Sequence, residues 1–147
     1  MARDDGILAF FSQFSPTELN SGEDRLTAQM FASLNEARSL DELYSPPLTY
    51  RFGYERHHIV EQNPANLTKE CDDVGVDLAK FGRDKIDEDS NIVWVPRFKH
   101  ELITNEYNSL HEDDFEHRLR RKVVGEMGFA NQREAGLAAL RKYGVLK

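Results

Sequence analysis

Residues 91–100 read Asn91-Ile92-Val93-Trp94-Val95-Pro96-Arg97-Phe98-Lys99-His100, and the fold turns on how they are read. Asn91 to Val95 is rich in β-branched and aromatic side chains, the composition of a strand, and Pro96 ends it because proline has no N–H to give to a ladder. Phe98, Leu102, Ile103 and Tyr107 then recur at helical spacing, so a helix follows over Arg97 to Asn108. Upstream, Leu48 to Tyr54 (LTYRFGY) alternates aromatic and polar residues and leads into Arg56-His57-His58-Ile59-Val60, which is also strand-compatible. Residues 63–90 are polar, contain Asn63-Pro64 and suit short helices such as Val76 to Phe81. The middle of the chain therefore reads strand, loop, strand, helix.

Helices dominate on either side. Asp24 can cap a helix whose apolar residues Leu26, Met30, Leu34 and Ala37 fall on one face, ending near Ser39. Residues 1–15 carry Ile7, Leu8, Phe10, Phe11 and Phe14 before Ser15-Pro16, which suits a short helix or a packed arm. Tyr44-Ser45-Pro46-Pro47 is the clearest break, since each proline lacks a donor and restricts the residue before it. It divides a helical accessory region, 1–46, from a second region, 47–147. Asp113 or Asp114 can cap a helix through Phe115, Leu119, Val123 and Met127, and Asn131 one through Leu137 and Leu140 that stops at Gly144, placing the C-terminal helices within 113–144. The expected class is α+β, mostly helical.

The 147 residues are those of one ordinary domain, with 39% hydrophobic and 31% charged side chains. The longest nearly apolar run, Gly6 to Phe11, is far short of the roughly 20 residues that span a bilayer. It follows Asp4 and Asp5 where a secretory signal carries basic residues, so neither membrane insertion nor classical export is expected. Cys71 stands alone, which excludes an internal disulfide and a tetrathiolate zinc site. A net charge of −7 argues against a protein that coats nucleic acid electrostatically. The acidity is uneven: residues 1–50 hold three basic and eight acidic groups, and residues 51–147 hold 16 and 18.

Adjacent histidines on a strand point to opposite faces, so His57 and His58 imply two roles. One ring suits a metal ion, and the other suits taking a proton from water near neutral pH. His100, near the start of the helix after the second strand, can return to the same ion. Asn91 can bridge the loop after the histidine pair by side-chain hydrogen bonds.

With His57-His58-Ile59-Val60-Glu61-Gln62, then Asn91-Ile92-Val93-Trp94-Val95-Pro96, then His100 nine residues beyond Asn91, the chain resembles the ββα-metal core of the HNH, or His-Me finger, nucleases. More narrowly, it is similar to the C-terminal toxin domains of bacterial polymorphic toxins, including type VI secretion and Rhs-type effectors. Phe81-Gly82 sits where those domains often carry a similar pair. The likeness covers roughly residues 54–110. It implies an α+β fold, mostly helical, around a ββα-metal core within a nuclease domain over 47–147.

The resemblance implies His58 as general base, His57 and His100 as metal ligands, and Asn91 as the residue that orients the histidine loop. The ion would stabilise charge on the phosphorus and the departing 3′ oxygen, leaving a 5′ phosphate. Colicin-like members place another histidine four residues after the last ligand, where this chain has Thr104. Two imidazoles with water and phosphate oxygens favour Mg²⁺ or Mn²⁺, with Zn²⁺ or Ni²⁺ as the alternatives. Glu61, where many relatives have proline, either joins Thr104 around the ion or is solvated.

Arg56, Arg97 and Lys99 flank the motif as phosphate contacts, and Arg118, Arg120, Arg121 and Lys122 form a basic run that is either a DNA contact or a solvated helix face. Trp94, Phe98, Leu102 and Tyr107 read as core, and His111 and His117 as surface residues. The implied activity is metal-dependent, sequence-tolerant DNA hydrolysis by an antibacterial toxin. Its implied partners are a cognate immunity protein and a secretion or carrier protein, with synthesis in the bacterial cytoplasm before delivery into target cells. An HNH endonuclease of restriction, phage or mobile-element origin is one alternative, and a non-catalytic metal-stabilised binding module is another.

Overall fold

The computed structural model describes residues 22–45, 50–62 and 81–147. The element order is α1 (Gly22–Ser33), α2 (Leu40–Leu43), β1 (Tyr54–His58), α3 (Arg83–Ile86), a 3₁₀ turn (Asp89–Asn91), β2 (Ile92–Pro96), α4 (Arg97–Tyr107), α5 (Arg120–Gly125) and α6 (Phe129–Lys142). Among the described residues the fold is mixed, mostly helical with one two-stranded sheet. The expected arm over 1–15, the expected short helices between 63 and 80, and Cys71 lie outside the described residues.

β1 and β2 pair antiparallel with His57 opposite Val93, His58 opposite Ile92 and Glu55 opposite Val95. Because successive strand residues face opposite ways, Glu55 and His57 share a face with Val93 and Val95. That face joins the main core with Ile103 and Tyr107 of α4, Val124 of α5, and Leu137 and Leu140 of α6. On the other face Tyr54 and Trp94 pack against Ala32 of α1. Pro96 leads straight into α4, so strand and helix meet with no loop between them.

Several expectations are corrected. Tyr50 to Gly53 is not strand; the ladder begins at Tyr54. Gly53, at φ +80°, supplies a turn that only glycine makes without strain, and its carbonyl accepts from Arg97 N at 2.9 Å. In α1 the predicted apolar stripe is turned outward, with Leu26, Met30 and Leu34 at least half exposed. Small Ala28 and Ala32 are buried instead, because α1 approaches so near that a Cβ on Gly53 would lie 2.3 Å from the Ala28 carbonyl oxygen. Only small side chains fit that contact.

Leu102 is half exposed and Phe98 half-buried, so of the four predicted core residues only Trp94 and Tyr107 are buried. The helix expected from Asp113 or Asp114 through Met127 shortens to α5. Residues 109–120 form a closed loop instead, with a bridge between Leu110 and Leu119. Asp114 accepts from the Arg118 backbone N at 2.8 Å and from its guanidinium, and His117 takes φ +54°, which a helix cannot continue through. At the C-terminal end the expectation of α6 through Leu137 and Leu140, stopping by Gly144 at φ +70°, agrees with the structure, although the helix starts at Phe129 rather than after Asn131.

The described part of the region before Pro46 is built into the same core. Leu43 is buried there, Ser45 N donates to Ile92 O at 3.1 Å beside β2, and Arg38 bridges to Leu146. Among the described residues, no helix is long and apolar enough to cross a membrane.

Candidate active site

His57 enters from β1 and His100 from the first turn of α4. Their rings meet edge to face with centres 5.2 Å apart. Two imidazoles sharing one ion through N–metal bonds of about 2.1 Å place their ring centres roughly 5 Å apart, so this spacing suits chelation. His57 is buried, and its Nε2 is a buried nitrogen with no hydrogen-bond partner. Burial, reinforced by the nearby His100 and His58, pushes its pKa down to about 3, so the ring is neutral at pH 7 with a lone pair to offer. His100 turns its Nδ1 to Glu55 Oε2 at 2.5 Å. A carboxylate behind one ring nitrogen leaves Nε2 for a metal and fixes the ring plane.

Glu55 was not among the residues singled out in the sequence. The legible signal was its position two residues before His57, on the same strand face.

His58 points the other way. Its Nε2 lies 3.0 Å from Asp87 Oδ1. A carboxylate only accepts, so Nε2 carries the proton and Nδ1 keeps the lone pair. The Gln62 amide nitrogen sits 3.0 Å from the same ring nitrogen and donates to Asp87 Oδ1 at 3.5 Å. The hydrogen bond from His58 holds the Asp87 carboxyl below its usual range, with Arg83, 3.3 Å away, adding to the effect. Asp87 also escaped the sequence reading, since it lies 29 residues from His58 in the chain.

Asn91 is fully buried and its carboxamide is saturated. Oδ1 accepts from Val60 N at 2.8 Å, while Nδ2 donates to Val60 O at 3.0 Å and to Ile86 O at 2.8 Å. One side chain thus ties the loop after the histidines to the residue preceding Asp87.

Glu61 is neither solvated nor available. It accepts three hydrogen bonds from the Arg121 guanidinium, the shortest 2.8 Å, in a largely buried pair. Burial pushes its carboxyl up while Arg121 pulls it back. The pair ties α5 to the histidine loop. Thr104 is half-buried on α4, one turn beyond His100.

The expected phosphate contacts fare differently. Arg97 is paired with Glu55 and Glu101, both at 3.0 Å. Lys99 donates to Gly144 O at 2.9 Å and Asn35 O at 3.3 Å, and burial lowers its pKa, so it is engaged as a tie between α4 and the ends of other elements. Arg56 lies exposed on the strand with its guanidinium 5.4 Å from the Trp94 ring centre. In the basic run, Arg118 is held by Asp114, Glu116 and Glu126, and Arg121 by Glu61; Lys122 is exposed.

No cluster of three or more His, Cys, Asp or Glu side chains able to hold an ion is present among the described residues. Compared with protein-family models, with curated proteins and with solved structures, the chain matches none.

Proposed function

We propose that the chain is a metal-dependent endonuclease of the His-Me finger type, hydrolysing DNA phosphodiester bonds with little sequence preference. The observation that carries this reading is the His57–His100 pair, with one orphaned buried Nε2 and one ring braced by Glu55, beside a second histidine oriented by a carboxylate. The succession of β1, β2 and α4, pinned by Asn91, supports a ββα-metal core as its frame.

His57 and His100 would hold a divalent ion through Nε2, which when bound supplies positive charge beside the scissile phosphate and the departing oxygen. His58 Nδ1 takes the proton from the attacking water. Asp87 holds that ring in the required tautomer and balances the imidazolium that forms. Asn91 holds the loop after the histidines to the residue preceding Asp87. Mg²⁺ or Mn²⁺ suits a two-imidazole site open to oxygen ligands.

The role as an antibacterial effector, with a cognate immunity protein, rests on the HHIVEQ and NIVWVP motifs alone. Incubation of plasmid DNA with Mg²⁺ or Mn²⁺ tests the activity. The native chain should nick and then degrade the plasmid, and His58→Ala should not, while still binding Mn²⁺. A native chain that binds the ion yet leaves DNA intact at low salt would instead be a metal-stabilised binding module.

A further inference from the structure

The aromatic alternation at residues 50–54 is not used by the hydrolytic site, and the structure gives it a place. Tyr50 and Phe52 stand edge to face, ring centres 4.9 Å apart, on the wall of a hollow of about 320 Å³. Phe52 is buried by the fold, whereas Tyr50 is 63% exposed and offers the rest of its ring to the hollow. Arg25 and Gln29 of α1, together with Arg97 and Glu55, also line it. Glu55 connects this hollow to the candidate active site, because its other oxygen bonds His100 Nδ1 at 2.5 Å while Arg97 is 3.0 Å from Oε1.

A ligand matched to these walls is planar and π-bearing, carries an amine or amide edge for Glu55 and Gln29, and trails an anion towards the guanidiniums. A nucleotide has all of these, and the volume lies at the small end of ligand pockets, about 300–1,000 Å³. We infer that the hollow is a nucleobase subsite in which an unpaired base of single-stranded DNA stacks on Tyr50, next to the phosphate presented to His57 and His100. This deepens the nuclease reading and rests on it for the neighbouring phosphate. A base inside a duplex is already stacked and cannot enter, so the subsite adds affinity for single strands and frayed ends, while a duplex reaches the hydrolytic site without it. Arg97 is balanced by Glu55 and Glu101, so affinity comes from stacking more than from phosphate charge.

The test uses the full chain in EDTA with a fluorescein-labelled single-stranded 12-mer and the same sequence as duplex, read by anisotropy. Single strand should bind more tightly than duplex. Tyr50→Ala should weaken single-strand binding by about 5- to 150-fold, the effect of deleting one stacking aromatic, leave duplex binding unchanged, and keep the parent urea midpoint. Tyr50→Phe should bind as the parent does. Equal single-strand affinity in parent and Tyr50→Ala, or no binding by the parent, overturns the subsite. The two readings separate cleanly. Tyr50-dependent binding without metal-dependent cleavage keeps the subsite and removes the nuclease. Cleavage indifferent to Tyr50→Ala on single-stranded substrate keeps the nuclease and removes the subsite.

Discussion

Gly136 of α6 presses on Ile59, the residue directly after the histidine pair: a Cβ at Gly136 would stand 2.3 Å from the Ile59 carbonyl oxygen and 2.8 Å from its Cγ2. The C-terminal helix is thereby packed against the residue that follows the histidine pair, although it contributes no reactive group.

Gly136→Ala should therefore destabilise the protein despite the gain of about 1 kcal/mol that alanine brings to a helix interior. Overpacking against backbone costs about 1–3 kcal/mol or more, and the displaced residue directly follows His57 and His58 of β1. A lower urea midpoint together with weaker Mn²⁺ binding is expected. A midpoint above the parent's would show that α6 does not touch this residue.

Asn91→Ala should be among the most damaging single changes. It strands the Val60 N–H, the Val60 carbonyl and the Ile86 carbonyl in the interior, at about 1–3 kcal/mol for each group left unpaired. Asn91→Asp keeps the acceptor but points an oxygen at two carbonyls, so its carboxyl pKa rises. Its deficit relative to the parent should shrink as the pH is lowered, measured by urea denaturation in parallel.

Asp87→Asn separates orientation from coordination. The turnover rate should fall by at least about tenfold, bounded by the 10²–10⁴-fold that a general base contributes, while calorimetric Mn²⁺ affinity stays at the parent value. Loss of metal affinity would place Asp87 and His58 on the ion instead.

The metal-free protein should lose stability on mild acidification. His57 is held at about 3 when folded and returns to its ordinary 6.5 on unfolding. Between those values the unfolded chain binds a proton that the native one refuses, so stability falls as pH drops below 6.5 and is unaffected by this group above it. The slope is about 1.4 kcal/mol per pH unit. Denaturation in EDTA from pH 8 to 5 should show this slope below pH 6.5 in the parent and a shallower one in His57→Gln.

Much of the frame was legible in the chain order. Pro96 after a β-branched run marks the end of β2 and the start of α4, and Gly144 marks the end of α6, because these are local consequences of a missing donor and of a backbone that tolerates positive φ. The outward stripe of α1 was not legible. Periodicity shows that Leu26, Met30 and Leu34 share a face, yet which face is buried depends on Gly53, whose lack of a side chain admits Ala28 and excludes anything larger. The shortened α5 has a similar origin, since Asp114 spends its oxygens on Arg118 rather than on capping a helix.

Sequence by itself determined the residue types of the candidate site: two neighbouring histidines on a strand, which must face opposite ways, an asparagine before the second strand and a histidine one turn into the helix that follows. Tertiary structure alone decided their company. Glu55 behind His100, Asp87 behind His58 and Arg121 on Glu61 join residues 45, 29 and 60 positions apart. Such pairings follow from how elements pack, and no local pattern of backbone or side chain encodes them.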